Sequence, residues 1–349
     1  MSILCRAGLQ VVEPRAYRSV TREEQRLLAA AASHAGFVPD YAAGAVQEAA
    51  YFIVLSDALL QGDTGAIVHR DELIAESLLH LKKSARAPGY RTPRSRSLVR
   101  KRGRHASIYY LPEGSGNLYH WLVDCLPRLR LLTSLPDRRL TLICHASMTP
   151  YQRLTLRKAL SHFPEVALIE IPPDEDWILE EYVFMSFASG LNSGFLSPFA
   201  ARFIRDALVP REPRYVASDK PRRLYVSRAT ATKRRLTSEQ ELRHALGRLE
   251  FTTIRPECLP FEEQVSAFNA AEIVVGVHGA GLANILFADR CTVVELQACT
   301  HVRPHYLLLA KALGHRYRGF LGSVADDCED FDVDVPALCR RVARLCRTS

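Results

Sequence analysis

The chain has 349 residues, more than the roughly 100 to 200 that a single core usually serves, so two domains are expected. Its 48% hydrophobic and 24% charged residues fit an ordinary globular protein and exclude a low-complexity or disordered chain. The formal net charge of +8 is concentrated in one place: between Lys82 and His105 stand ten basic residues and no acidic one, and the remainder is slightly acidic.

No uninterrupted apolar run approaches the roughly 20 residues of a membrane span, and residues 1–40 lack the cationic, then apolar, then small-residue order of an export signal. Neither insertion nor export is expected. The nine cysteines are scattered, without a CxxC pair or a zinc-like His/Cys cluster, which fits a reducing cytoplasm and no structural metal.

In chain order, YFIVLSDALL and GAIVHRDELI, separated by Gln61-Gly62-Asp63-Thr64, read as a strand pair. The basic segment 82–105, broken by Pro88, Gly89 and Pro93, reads as a solvated loop or as an electrostatic contact with an anionic membrane surface, a lipid diphosphate or a polyanion. Nucleic acid is the least favoured partner because no recognisable binding module accompanies the charge. A helix from Asn117, a strand Leu140 to Cys144, a helix from about Thr149 and a strand Ala167 to Ile171 follow. The proline-rich stretch Val209-Pro210-Arg211-Glu212-Pro213 to Lys220-Pro221 divides an N-terminal domain, 1–209, from a C-terminal one, 210–349.

Beyond it, strand and helix patterns alternate. Strands are expected at Leu224 to Ser227, Phe251 to Ile254, Ile273 to Val277, Thr292 to Leu296 and Tyr317 to Phe320. The helices between them are ELRHALGRL with a Ser238/Glu241 capping box, Phe261 to Ala271, a short one from Ala280, and Tyr306 to Leu313. Repeated βα units imply a parallel sheet covered on both faces.

Ligands of such sheets bind beyond the carboxyl ends of the strands, where helix N-termini present unpaired N–H groups. At that level IVVGVHGAGLANILF places His278, Gly279, Ala280, Gly281 and Asn284. The glycines either let a phosphate approach the backbone or serve packing alone, and the third glycine of the dinucleotide fingerprint is absent. Glu295 ends the next strand, where a carboxylate can accept from ribose hydroxyls or, alternatively, form an ion pair or a cap. Arg228 follows the first strand, with Lys233, Arg234 and Arg235 close behind as candidate phosphate donors or solvated surface groups.

Taken together these residues resemble glycosyltransferase family 61. The resemblance is carried by Leu224-Tyr225-Val226-Ser227-Arg228, Arg235, Glu239 and Glu241, Pro256-Glu257, Phe261 and Gln264, Val277 to Phe287, and Val294-Glu295. Upstream it includes Asn117-Leu118-Tyr119-His120-Trp121-Leu122, Asp124 and Leu126-Pro127-Arg128-Leu129. Ser238 and Gln297 depart from the family's usual asparagine and proline. The resemblance implies two Rossmann-like α/β domains in a GT-B-type arrangement. It also implies an inverting transfer from a nucleotide-sugar donor to a glycan or lipid-linked acceptor, with no cofactor and no required metal, in the cytoplasm or at the inner face of the membrane. The glycine junction, Arg228 and one of Lys233, Arg234 or Arg235 would then hold the diphosphate.

Deprotonating the acceptor hydroxyl needs a base, and the helix from Asn117 offers one. Asn117 suits an N-cap; Leu118, Trp121, Leu122, Cys125, Leu126 and Leu129 form an apolar stripe, and His120, Asp124 and Arg128 share another face at i, i+4 and i+8. Either His120 or Asp124 can be the base, with Asn117 and Arg128 beside the cleft, and Pro127 is expected to bend the helix. The bland alternative for His120 is a histidine bonded to a backbone carbonyl. Asp174-Glu175-Asp176 matches the metal-binding D-x-D, but it follows Pro172-Pro173 and reads as an exposed turn. His301 and His305 read as surface or capping residues. The rival functions are a non-catalytic carbohydrate-binding scaffold of the same fold and a nucleotide-dependent oxidoreductase.

Overall fold

The computed structural model describes residues 9–35, 45–47, 49–79, 96–110, 116–189, 194–210 and 222–347. The chain separates into two compact units, Met1–Ala16 with Gln47–Leu208 and Tyr17–Val46 with Val209–Ser349. The structure thus assigns 17–46 to the second unit, although these residues precede most of the first in sequence.

In chain order the strands of the first part are β1 (Gln10–Glu13), β2 (Ala16–Arg18), β3 (Ala45–Gln47), β4 (Ala50–Gln61), β5 (Ile67–His69), β6 (Glu72–Leu73), β7 (Ser97–Ser107), β8 (Thr141–His145), β9 (Ala167–Ile171) and β10 (Glu175–Met185). The main sheet runs β6-β5-β4-β10-β7-β8-β9, with β1 also on β4. It is mixed: β1, β4, β5, β6 and β10 pair antiparallel, whereas β10-β7-β8-β9 pair parallel. This corrects the expectation of a Rossmann-like N-terminal domain, because only one half of the sheet has the crossover helices a parallel sheet requires. The predicted strand pair around Gln61 is present, with Leu59 opposite Val68 and Leu60 opposite Ile67. Ile53, Leu55, Trp177, Leu179, Tyr182 and Phe184 form the core of one face.

The basic segment needs a correction as well. Residues 82–95 lie outside the described residues, but 96–105 begin β7 rather than a solvated loop. Arg96 is paired with Asp63 and Asp176, Arg100 with Asp57 and Arg104 with Glu181, while Lys101 lies over the Trp177 ring at 4.1 Å. Acidic residues distant in sequence thus pair with three of the basic groups, which a count along the sequence cannot show. The same contacts account for the D-x-D match. Asp176 accepts from Arg96 and from the Gly62 N–H, and Glu175 accepts from the Trp177 indole, so both close a strand junction.

The second unit contains β11 (Arg223–Val226), β12 (Thr252–Ile254), β13 (Ile273–Val277), β14 (Thr292–Ala298) and β15 (Arg316–Gly322). They pair parallel throughout in the order β12-β11-β13-β14-β15. Numbered within the unit this is 2-1-3-4-5, a doubly wound sheet whose direction of growth reverses between β11 and β13. β13 and β14 are buried along their whole length, as their continuous apolar runs require of central parallel strands. Helix Arg22–Ala35 joins this unit: Glu24 meets Lys311 at 2.7 Å, Glu23 meets Arg341 at 2.5 Å, and Leu27 fills the space beside Gly319. The helix Glu239–Gly247 forms, but Ser238 makes no side-chain cap bond, so the predicted capping box is absent.

Candidate active site

The carboxyl ends of β11 and β13 flank the switch point, and the residues that follow them meet there. Arg228, just beyond β11, turns its guanidinium under the start of the helix Ala280–Phe287. Its Nε and Nη2 donate to the carbonyls of Arg234 and Lys233 at 3.3 and 2.9 Å. A Cβ on Gly279 would stand 1.9 Å from Arg228 Nη1, so glycine is required there to seat the arginine. Gly279 has φ 176°, ordinary extended backbone, and its requirement is space rather than conformation. A Cβ on Gly281 would press on Pro256 and Val226 at 3.2 and 3.3 Å, so that glycine serves helix-to-strand packing. Both glycines therefore serve contacts within the protein, and what they bring to the junction is a guanidinium.

Of the three candidates after Arg228, the structure separates roles. Arg235 is drawn away to Asp330 at 2.7 Å, and Lys233 is exposed. Arg234 turns inward from a left-handed backbone at φ 59°, a conformation that costs energy in a non-glycine residue. Its side chain lines a pocket with His278, Gln297, His301 and Glu329. Arg234 Nε is buried without a hydrogen bond among the described residues, 3.7 Å from Glu329. Arg303, from the loop after β14, reaches the same Glu329 at 3.1 Å. Burial lowers the pKa values of Arg228 and Arg234, and for Arg234 repulsion from Arg228 and Arg303 adds to it. Three guanidiniums therefore gather here, two of them sharing the single carboxylate of Glu329.

His278 sits at the centre of this charge. Its Nδ1 is 2.5 Å from Glu295 Oε1, and the Tyr317 hydroxyl donates to Glu295 Oε2. Glu295 is 0% exposed with both oxygens engaged, which corrects the expectation that it takes ribose hydroxyls: β14 is a central strand, and this side chain points into its packing. Burial pushes the Glu295 carboxyl up to about 8. Burial holds His278 well below its usual value, and His305, Arg234, Arg303 and Arg228 lower it further. Asn284 is also structural: fully buried, it donates to Gln264 and to the Gly281 carbonyl at 3.0 Å each. His305, partly exposed at the first position of the helix His305–Leu313, has its ring 5.8 Å from that of His278. Tyr306 donates to the Gly279 carbonyl at 2.5 Å and fixes the turn from below.

In the first unit, Asn117 caps the helix start by accepting from the Tyr119 N–H at 3.0 Å. One α-helical turn, Leu118–His120, then widens into a π-helix, Trp121–Cys125, and tightens into a 3-10 helix, Leu126–Ser134. Pro127 explains the change, because it has no N–H for the Val123 carbonyl and its ring crowds that turn. His120 and Asp124 remain together, Nδ1 to Oδ2 at 2.7 Å. Asp124 is 0% exposed and its Oδ1 accepts from the Ser189 hydroxyl, whereas the His120 side chain keeps 12% of its surface open. The carboxylate thus orients a histidine that reaches solvent.

Arg128 does not share that face. The π turn uses more residues per turn, which shifts the i+8 position inward. Arg128 is buried, donates to the Met185 carbonyl through Nε at 2.9 Å and Nη2 at 2.5 Å, and stacks 4.7 Å from Phe187. It pins the end of β10, from which the chain continues to Ser189. Trp121 anchors the same segment by donating to Thr155 at 2.8 Å. Ser189, Arg303, His305 and Tyr317 were missed in the sequence. For Arg303 a signal existed: it lies in the loop beyond the carboxyl end of β14, the level at which ligands of such sheets bind.

The second unit thus carries half-buried guanidiniums at the switch point of a doubly wound sheet, and the first unit carries a histidine oriented by a carboxylate. Residues 118–294 match the family model described as Glycosyltransferase 61, just over half of the chain, and the chain belongs to that family. It is 30% identical over 130 residues to the EGF domain-specific O-linked N-acetylglucosamine transferase of Drosophila melanogaster, covering 36% of this chain and 24% of that protein. It is 37% identical over 60 residues to the Beta-1,2-xylosyltransferase of Arabidopsis thaliana, covering 17% of this chain and 11% of that protein. The chain therefore matches a quarter or less of the length of these relatives.

Proposed function

We propose that the protein is an inverting glycosyltransferase that moves a sugar from a nucleoside diphosphate sugar, with uridine as the expected base, to a hydroxyl of a glycan or lipid-linked glycan. The observation that carries the reading is the set of guanidiniums of Arg228, Arg234 and Arg303 around His278 at the switch point of a 2-1-3-4-5 sheet. In the reaction the acceptor oxygen forms a bond to the anomeric carbon, and the bond from that carbon to the diphosphate breaks. The diphosphate leaves with the electron pair, and the acceptor proton goes to a base.

Arg228, Arg234 and Arg303 stabilise the developing diphosphate charge, the role a divalent cation fills in other enzymes, so the transfer proceeds without a metal. The first N–H groups of the helix Ala280–Phe287 add donors at its start. His120 is the base, held in one orientation by Asp124, whose second oxygen is held by Ser189. Asp124 is too deeply buried to meet an acceptor itself. The names of the two relatives, transferases of N-acetylglucosamine and xylose, agree with this reaction class. Thermal-shift measurements with UDP, GDP and ADP in EDTA test the donor side: at least one nucleoside diphosphate should raise the melting temperature through linkage. Stabilisation seen only after manganese or magnesium is added would overturn the metal-free reading.

A further inference from the structure

Glu295 is 0% exposed, and among the described residues its oxygens hydrogen-bond to His278 Nδ1 and the Tyr317 hydroxyl and to no arginine or lysine. Tyr317 donates to Oε2, so the 2.5 Å contact at Oε1 is where the proton shared with His278 lies. Three arrangements are possible. An ion pair would add a positive imidazolium among Arg228, Arg234 and Arg303, with His305 beside it. An ionised carboxylate facing a neutral imidazole protonated on Nδ1 would leave a fully buried charge with only a tyrosine hydroxyl and a ring N–H to solvate it. The third arrangement, a protonated carboxyl donating to Nδ1, buries no charge.

We propose that Glu295 is a positioning residue that holds His278 as the neutral tautomer with its proton on Nε2, making His278 a hydrogen-bond donor to the diphosphate. The proposal rests on the diphosphate reading of the site and adds to it the assignment of one proton. Nδ1 is closed by Glu295, which leaves Nε2 as the ring's free nitrogen to assign, and His278 and Arg234 line the same pocket. In this tautomer the atom presented to phosphate oxygens can only donate, so the histidine complements an anion without adding charge to a crowded cationic site. The other tautomer would present a lone pair to the phosphate and repel it. The charged and titratable groups around His278 are Arg228, Arg234, Arg303, His305, Tyr306 and Glu295, with Tyr317 behind the carboxyl and with His301 and Glu329 lining the same pocket, Glu329 paired with Arg234 and Arg303. The first four of these disfavour a second proton on the ring. Burial, which raises Glu295 and lowers His278, acts in the same direction.

The test uses the full chain labelled with nitrogen-15 histidine and multiple-bond proton–nitrogen spectra at pH 7. The His278 signals are assigned by their loss in His278→Gln and, should that variant fold poorly, by their displacement on adding inorganic pyrophosphate. A protonated Nε2 and an unprotonated Nδ1 are expected. Glu295→Gln keeps the geometry, since its amide N–H donates to Nδ1 and its carbonyl accepts from Tyr317. It should keep the tautomer and bind pyrophosphate within about threefold of the natural protein, less than the loss of one charged hydrogen bond. A protonated Nδ1 in the natural protein, or a loss of about tenfold or more in Glu295→Gln, would overturn the proposal. Pyrophosphate that fails to bind the natural protein would instead overturn the diphosphate reading, and the spectra would still decide the tautomer.

Discussion

The two units solve opposite electrostatic problems. In the second, half-buried guanidiniums stand around a buried histidine, two of them sharing Glu329; in the first, a buried carboxylate is satisfied by a serine and by the histidine it orients. An anion is stabilised best by charge fixed in advance, whereas a base needs an accessible, correctly turned ring. The histidines differ accordingly. Their exposure is nearly the same, 10% of the His278 side chain and 12% of the His120 side chain, but His278 is paired at Nδ1 with Glu295 among arginines, while His120 is backed by Asp124. Each carboxyl sets its histidine, and the surrounding charge decides what the histidine then does.

The comparison breaks most visibly at His120. His120→Ala should lower turnover by at least about 100-fold and leave the affinity for UDP unchanged, as general-base assistance predicts. Steady-state rates with saturating donor and acceptor, beside calorimetry, check both halves; a near-normal rate would remove the base from this position. Next in size is the contrast within one loop. Arg234→Ala should weaken UDP binding by about 1.5 to 3 kcal/mol, the value of a charge-assisted bond. Lys233→Ala and Arg235→Ala should change it by less than about 0.5 kcal/mol, the usual effect of surface substitutions. Equal losses at all three positions would show that the loop contributes only general positive charge.

The regular part of this architecture could be read from the sequence and the irregular part could not. The strands and helices of the second unit follow period and length rules closely: Ile273 to Val277 is found as read, and Tyr306 to Leu313 differs by one residue. The triplet Lys233, Arg234 and Arg235 could not be sorted, because the direction of each side chain depends on a left-handed residue and on Asp330, almost one hundred positions away. Glu295 looked like a ribose ligand because the end of a strand is where such a ligand belongs. The positions of His278 after β13 and Tyr317 on β15 show that the carboxyl is already engaged, closer to the ion-pair alternative. In the first unit, His120 and Asp124 were legible at i, i+4, but Arg128 was misplaced because a helical wheel assumes a uniform turn and Pro127 breaks it.

A smaller effect sharpens the role of the first carboxylate. Ser189→Ala removes the donor to Asp124 Oδ1, worth about 1 kcal/mol, so turnover should fall about fivefold with no change in UDP affinity. No change in rate would mean that Asp124 is held without Ser189. A separate effect concerns pH and the second carboxyl. The folded-state pKa of Glu295 is raised from 4.5 to about 8. Its contribution to stability is therefore complete below about pH 4.5 and is lost as pH rises toward 8. His278 has the opposite sign: its folded value is depressed, so its contribution is present above about 6.5 and is lost as pH falls below that. Glu295→Gln should remove only the first effect, so the melting temperature of the variant should fall less between pH 5 and 8 than that of the natural protein. Parallel curves would show that Glu295 ionises normally in the fold.

The most direct test of the central claim, that the switch-point guanidiniums hold a diphosphate, is calorimetry of UDP and of uridine in EDTA on the natural protein and on Arg228→Ala. The account predicts that UDP binds the natural protein without metal. It also predicts that Arg228→Ala weakens UDP by about tenfold or more, the scale of one charge-assisted bond, while uridine binding barely changes. Equal weakening of both ligands would contradict the account, because Arg228 would then support the loop that carries Lys233 and Arg234 rather than the phosphates.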